Sequence, residues 1–142
     1  MSGKPRPPAI QTSIPPNRLP LATIRRIEHV QLAMPRAREA EARAFYGGVL
    51  GLPEIAKPPE LAARGGCWFE DGAIKIHLGV EDDFRPAKKA HVALVVDDLD
   101  AVIAAARALV CETQPAQPFG KFTQAYVFDP FGNRIELLQA LA

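Results

Sequence analysis

The chain contains three histidines, His29, His77 and His91, and each lies in a stretch where apolar and polar residues alternate. Alternation of this kind predicts β-strands, whose side chains point to opposite faces in turn. Within Ile24 to Met34, residues Val30, Leu32 and Met34 share one face, and His29 and Gln31 share the other. Within Ala73 to Val80, Ile74, Ile76 and Leu78 oppose Lys75 and His77. Within His91 to Val96, Val92, Leu94 and Val96 oppose His91, and within Arg134 to Gln139, Ile135 and Leu137 oppose Arg134 and Glu136. Each aliphatic face suits packing against a helix, which turns each histidine, and Glu136, to the other side. His29 and His77 are 48 positions apart, and His91 and Glu136 are 45 apart. Each half of the chain therefore offers one polar residue from its first strand and one from its last. If those strands are neighbours, all four meet in one trough.

Imidazole nitrogen and carboxylate oxygen suit one divalent ion of Zn, Ni, Co, Fe or Mn. Three neutral imidazoles and one carboxylate leave such an ion with a net positive charge. A six-coordinate ion would keep positions open for water or substrate, as catalysis requires. Glu136 is then the candidate catalytic group, with Glu136 or a metal-bound water as the proton carrier. The plainer alternative stands beside this one, because a single histidine on a strand is more often a hydrogen-bonded, half-buried residue than a ligand. Around the trough, Gln31, Trp68, Lys75, Tyr126 and Arg134 are candidate substrate-binding residues. Trp68 and Tyr126 could equally be core aromatics, and Lys75 and Arg134 could reach an anionic substrate or only solvent.

The elements that must position these groups recur in the same order. Arg36 to Leu50 predicts a helix, with Ala37, Ala40, Ala44 and Phe45 on its inner face and Gly51 as its stop. A short strand and loop bracketed by Pro53, Pro58 and Pro59 follow, then a strand over Gly66 to Glu70, an Asp71-Gly72 turn and the strand ending at Val80. The charged stretch from Glu81 to Lys89 reads as a linker. In the second half a helix capped by Asp97 or Asp98 carries Leu99, Val102, Ile103, Ala106 and Leu109. Short strands are expected over Cys111 to Gln114 and Phe122 to Phe128, with a Pro115 to Gly120 loop between them and an Asp129-Pro130 turn before the last strand. This is strand–helix–three strands, twice: modules over 23–82 and 88–142 of one domain spanning 23–142. The expected fold class is α+β, two βαβββ modules forming a curved mixed sheet around a metal-binding cavity. Residues 1–22 differ in character. Six prolines fall in the first 20 positions, and such a stretch is expected to form an extended or disordered arm, or to drape over a neighbouring subunit.

Composition narrows the function classes. With 17 basic and 16 acidic residues the net charge is +1, without the basic excess of a dedicated nucleic-acid binder. No apolar run is long enough to span a bilayer. Cys67 and Cys111 form no CxxC motif and read as free thiols of a reducing cytoplasm.

The segments "IEHVQLAM", "ARAFYGGVLGL", "IKIHLGV", "HVALVVDDLDAVIAAA" and "VFDPFGNRIELLQ" resemble the glyoxalase, bleomycin-resistance and extradiol-dioxygenase superfamily, also called vicinal oxygen chelate, over roughly residues 24–140. The resemblance implies metal ligands on the first and fourth strands of each module, at His29, His77, His91 and Glu136. It implies a small-molecule substrate with adjacent oxygens and a homodimer whose modules pair within or across chains. It also implies lyase or isomerase chemistry of the glyoxalase kind. Glyoxalase I enzymes usually carry Glu or Gln where this chain carries His77, which sets it apart from them. Two alternatives stay open: an Fe(II) extradiol-type dioxygenase using two His and one Glu, and a metal-free small-molecule binding or resistance protein.

Overall fold

The computed structural model describes residues 3–6, 8 and 23–142. Apart from those first five residues, the expected arm over 1–22 lies outside the described residues. The first strand, β1, is Val30–Met34, shorter than the alternation from Ile24 predicts. Its partner β4 (Ile74–Val80) pairs Val30 with Ile76 in parallel and extends only two residues further back. Residues 23–29 therefore run unpaired and exposed, Ile24 and Ile27 among them.

Helix α1 (Glu39–Ala42) continues as a π-helical segment, Arg43–Val49. It begins later than expected because Ala37 sits in the left-handed region (φ 65°), outside helical geometry. It ends at Val49, two residues before Gly51, whose φ of 71° favours a residue without a Cβ. The buried face is Ala42, Phe45 and Tyr46. Ala37 and Ala40 are exposed and Ala44 only half-buried, which corrects the inner face expected from the spacing. The wider π turn shifts the phase of the helix and turns the two aromatics, with their larger apolar area, into the core.

The short β2 (Glu54–Ile55), the single-turn α2 (Pro59–Ala62) and β3 (Cys67–Asp71) complete the first module. The second contains β5 (Val92–Val95), α3 (Leu99–Ala108), β6 (Gln117–Phe119), β7 (Phe122–Phe128) and β8 (Arg134–Ala140). Asp98 caps α3, its carboxylate accepting from the Ala101 amide at 3.0 Å. The strand expected over Cys111 to Gln114 reduces to one bridge between Thr113 and Val127. The ladder forms instead at Gln117–Phe119, inside the expected loop, as an edge strand where Pro118 costs no interior hydrogen bond.

The strands form two four-stranded mixed sheets, ordered β1-β4-β3-β2 and β5-β8-β7-β6, neither of them closed. This is the α+β fold of two βαβββ modules, with the single sheet of the expectation resolved into two. The aliphatic faces and the two long helices share one core, in which Phe45, Tyr46, Phe69, Ile76, Leu99, Val127 and Ile135 are buried. Two hydrogen bonds cross between the modules: Tyr46 Oη to Asp129 Oδ2 at 2.7 Å, and Asn133 Nδ2 to the Ala33 carbonyl at 2.8 Å. Among the described residues no helix is long and apolar enough to cross a membrane.

Candidate functional site

The faces turned away from the core carry the polar residues, as the alternation predicts, and they fall into two groups. On the first sheet, β3 and β4 pair Trp68 directly with His77, and β1 and β4 pair Gln31 with His77. The Trp68 and His77 rings stack at 4.1 Å with 5° between their planes. His29, one residue before β1, lies over His77 at 4.4 Å and 16°. His77 is buried, and its Nε2 has no hydrogen-bond partner. A Glu70 carboxylate oxygen lies 3.7 Å away, beyond hydrogen-bond reach. Burial, followed by the neighbouring His29, pushes the His77 pKa below the ordinary imidazole value, while Glu70 pulls it back. The shift favours the neutral imidazole, the form a metal ligand needs, and leaves Nε2 free of any partner within the protein.

On the second sheet, Tyr126 pairs with Glu136 across β7 and β8. His91, just ahead of β5, places its Nε2 3.1 Å from Glu136 Oε2 and its Nδ1 2.8 Å from the Lys89 carbonyl. A carbonyl oxygen only accepts, so Nδ1 carries the hydrogen. In the neutral ring Nε2 is then a lone pair aimed at a carboxylate oxygen. Two acceptors at that distance repel unless a cation, a proton or a metal ion, lies between them. A backbone carbonyl on one imidazole nitrogen is also the usual way a ligand histidine is oriented. The other Glu136 oxygen accepts from the Gln124 amide, which in turn faces the Tyr126 hydroxyl at 3.4 Å and accepts from Gln117 at 3.1 Å.

The donor set fits a divalent ion in chemistry, and the first pair leaves His77 Nε2 without a partner. The four expected ligands nevertheless remain two pairs, His29 with His77 and His91 with Glu136. Among the described residues no three His, Cys, Asp or Glu side chains lie close enough to hold one metal ion.

A chain with these modules matches the model of the Glyoxalase/Bleomycin resistance protein/Dioxygenase superfamily over residues 26–137. The chain belongs to that superfamily. Among solved structures, a "putative glyoxalase family protein" from Bacillus anthracis is 44% identical, with a TM-score of 0.76 over 85% of this chain and 99% of that one. A glyoxalase/dioxygenase from Nostoc punctiforme is 23% identical, with a TM-score of 0.71 over 88% and 99%. A variant of the fosfomycin resistance protein FosX from Listeria monocytogenes, complexed with Mn(II) and 1S,2S-dihydroxypropylphosphonic acid, is 19% identical, with a TM-score of 0.65 over 82% and 90%. The last two likenesses show the fold alone. No curated protein matches the chain significantly.

Within this superfamily fold the expected substrate-binding residues take distinct positions. Gln31 lies over Gly79, where any Cβ would stand 2.5 Å from its Nε2. It lines two hollows. One, of about 250 Å³, includes Trp68, Gly79 and Arg64. The other, of about 360 Å³, lies between β1 and the start of β5 and includes His91, Arg85 and Arg134. Tyr126 meets His91 edge to face at 5.6 Å and carries the Arg134 guanidinium over its ring at 4.4 Å. Lys75 turns instead to carboxylates, Glu28 at 2.9 Å and Glu70 at 3.6 Å. A roomier hollow of about 510 Å³ sits by the linker, against Arg36, Phe84 and Phe131, away from both pairs. Glu70 and Gln124 were missed from the sequence. Their signal is only that each shares a strand face with an aromatic two positions away, Trp68 and Tyr126.

Proposed function

We propose that the chain is a metal-dependent enzyme of the glyoxalase kind, a lyase or isomerase acting on a small substrate with adjacent oxygens. In this reading His29, His77, His91 and Glu136 hold one divalent ion, two from each of two copies of the chain in a homodimer. The observation that carries it is the His91–Glu136 pair, with Nε2 held 3.1 Å from Oε2 while Nδ1 is anchored on the Lys89 carbonyl. The unpartnered His77 Nε2 supports it from the other module. Both β1 and β5 pair with a strand on one side only, which leaves room at each edge for a second copy. The bound Mn(II) of the FosX variant shows that this fold accommodates such an ion in that protein.

When bound, the ion supplies Lewis acidity toward the two substrate oxygens. The residues do the remainder. Glu136, held on one oxygen by Gln124, takes a proton from the carbon beside a substrate carbonyl, leaving an enolate-like species, and returns it to the neighbouring carbon. Gln31 and Trp68 wall the substrate on the first sheet, Tyr126 and Arg134 on the second. Two free thiols, one of them buried, accord with work in a reducing cytoplasm.

Elemental analysis of the purified protein, followed by Mn(II) and Zn(II) titration of the wild type and of His91→Ala, tests this reading. About one ion per chain, lost in the variant, is expected. A wild type that takes up no metal returns the chain to the binding-protein alternative. Oxygen-dependent cleavage of catechols, with no turnover of α-ketoaldehyde–thiol adducts, would replace isomerase by dioxygenase.

A further inference from the structure

Two cations share faces with the candidate ligands, and the structure treats them differently. Lys75 is neutralised, with Glu28 and Glu70 both within ion-pair distance. Arg134 has no carboxylate within 4 Å among the described residues, and its buried Nε has no hydrogen-bond partner. Its guanidinium is fixed against the Tyr126 ring, on the face that carries Glu136, and it lines the same hollow as His91. Arg85 lines that hollow too. Glu81 is also on its wall, yet makes no ion pair with either arginine. A guanidinium held in place by stacking, with an unused N–H directed away from water, is a fork prepared for an oxyanion. The charge balance points the same way: a divalent ion on three imidazoles and Glu136 keeps one positive charge, and Arg134 adds a second.

We infer that Arg134 clamps an anionic group of the substrate, a carboxylate or a phosphonate, so that the enzyme selects small oxyanions over neutral carbonyl compounds. The inference rests on the site assignment above for its place in the reaction, but the unpaired guanidinium stands without it.

The test uses the full chain and three small probes: pyruvate, methylphosphonate, and hydroxyacetone as the neutral counterpart. Arginine side-chain ¹H–¹⁵N spectra and calorimetry are recorded without metal and with Mn(II). Pyruvate or methylphosphonate is expected to shift the Arg134 Nε signal and to bind roughly tenfold or more tighter than hydroxyacetone. Arg134→Gln should remove that preference, and Lys75→Gln should leave it intact. Which of the two anions binds better distinguishes carboxylate from phosphonate. If Arg134→Gln does not fold, Arg134→Lys, which keeps the charge without the fork, should still weaken both anions severalfold. Equal binding of hydroxyacetone, an unmoved Arg134 signal, or equal losses in the Arg134 and Lys75 variants would overturn the inference. Mn(II) titration of the same samples separates the two readings. Metal uptake without anion preference sinks the clamp alone, whereas anion binding through Arg134 without metal uptake sinks only the metal assignment.

Discussion

The Tyr46 hydroxyl donates a 2.7 Å hydrogen bond to Asp129 Oδ2 across 83 positions of sequence, in the buried seam between the two modules. Asp129 accepts three more bonds: from Asn133 Nδ2 on the same oxygen, and from the Phe131 and Asn133 amides on the other. Tyr46→Phe removes one donor and leaves a buried carboxylate oxygen short of a partner. A loss of about 1–3 kcal/mol is expected, measured by urea unfolding. The far-ultraviolet spectrum of the folded variant should be unchanged, since Phe45 and the ring of residue 46 still fill the core. A loss near zero would mean that water enters the seam in the wild type.

The same carboxyl makes stability depend on pH. Burial raises the Asp129 pKa above 3.8, and the bonds from Tyr46, Asn133 and Phe131 pull it back only in part. A carboxyl with a raised folded pKa binds its proton more tightly in the folded state. Its contribution is complete below the unfolded value and shrinks as pH rises through the folded one. Asp129→Asn cannot titrate. The stability of the wild type minus that of the variant should therefore fall as pH is raised from 3.8, in paired urea titrations. A difference that grows with pH would show that the ionised carboxylate is the stabilised form.

Two glycines in the first module give opposite outcomes on gaining a methyl group. At Gly66 a Cβ would stand 2.0 Å from the Leu78 carbonyl oxygen, and φ is +85°. Neither backbone can yield, so Gly66→Ala is expected to prevent folding or to cost several kcal/mol, roughly the upper range for single substitutions. At Gly79 the Cβ meets only the amide end of Gln31, at 2.5 Å. That side chain can move away, so Gly79→Ala should change the melting temperature little while displacing the Gln31 amide signals in NMR spectra. Equal melting temperatures for the two variants would remove the distinction.

These contrasts mark what the sequence could and could not convey. Period-two alternation placed His77 and Glu136 on the faces they occupy, because burial of Ile76, Leu78, Ile135 and Leu137 on one side leaves the other face to polar groups, whereas His29 and His91 fall one residue ahead of β1 and β5. Asp98 capped its helix as its type and position suggested. Register was harder. A turn on Asp71-Gly72 would pair Trp68 with Lys75, but the turn at Gly72-Ala73 pairs Trp68 with His77. A two-residue shift preserves faces and changes neighbours, so the ring stack could not be foreseen. The Tyr46–Asp129 seam depends on long-range packing and the Gln124–Glu136 bond on the register of β7 against β8, neither of which a local pattern encodes. The division of the four expected ligands into two pairs likewise follows from how the sheets pack, since alternation fixes a face within a sheet and is silent about the distance between sheets.

That division leads to a decisive experiment on how the pairs meet. If one site needs the first module of one chain and the second module of another, two broken chains can repair each other. The His29→Ala/His77→Ala double variant lacks the first pair, and the His91→Ala/Glu136→Ala double variant lacks the second. Each alone should take up no Mn(II). After refolding together in equal amounts, random pairing makes about half of the dimers mixed, and each mixed dimer holds one complete site beside one empty of ligands. Metal uptake should then return to roughly a quarter of the wild-type stoichiometry. A site built within one chain predicts none, because each chain in the mixture lacks one pair. Equilibrium dialysis of the refolded mixture against Mn(II) gives the stoichiometry directly, independent of any substrate. Sedimentation of the same sample establishes that mixed dimers have formed, so zero uptake by such dimers would refute the cross-chain site.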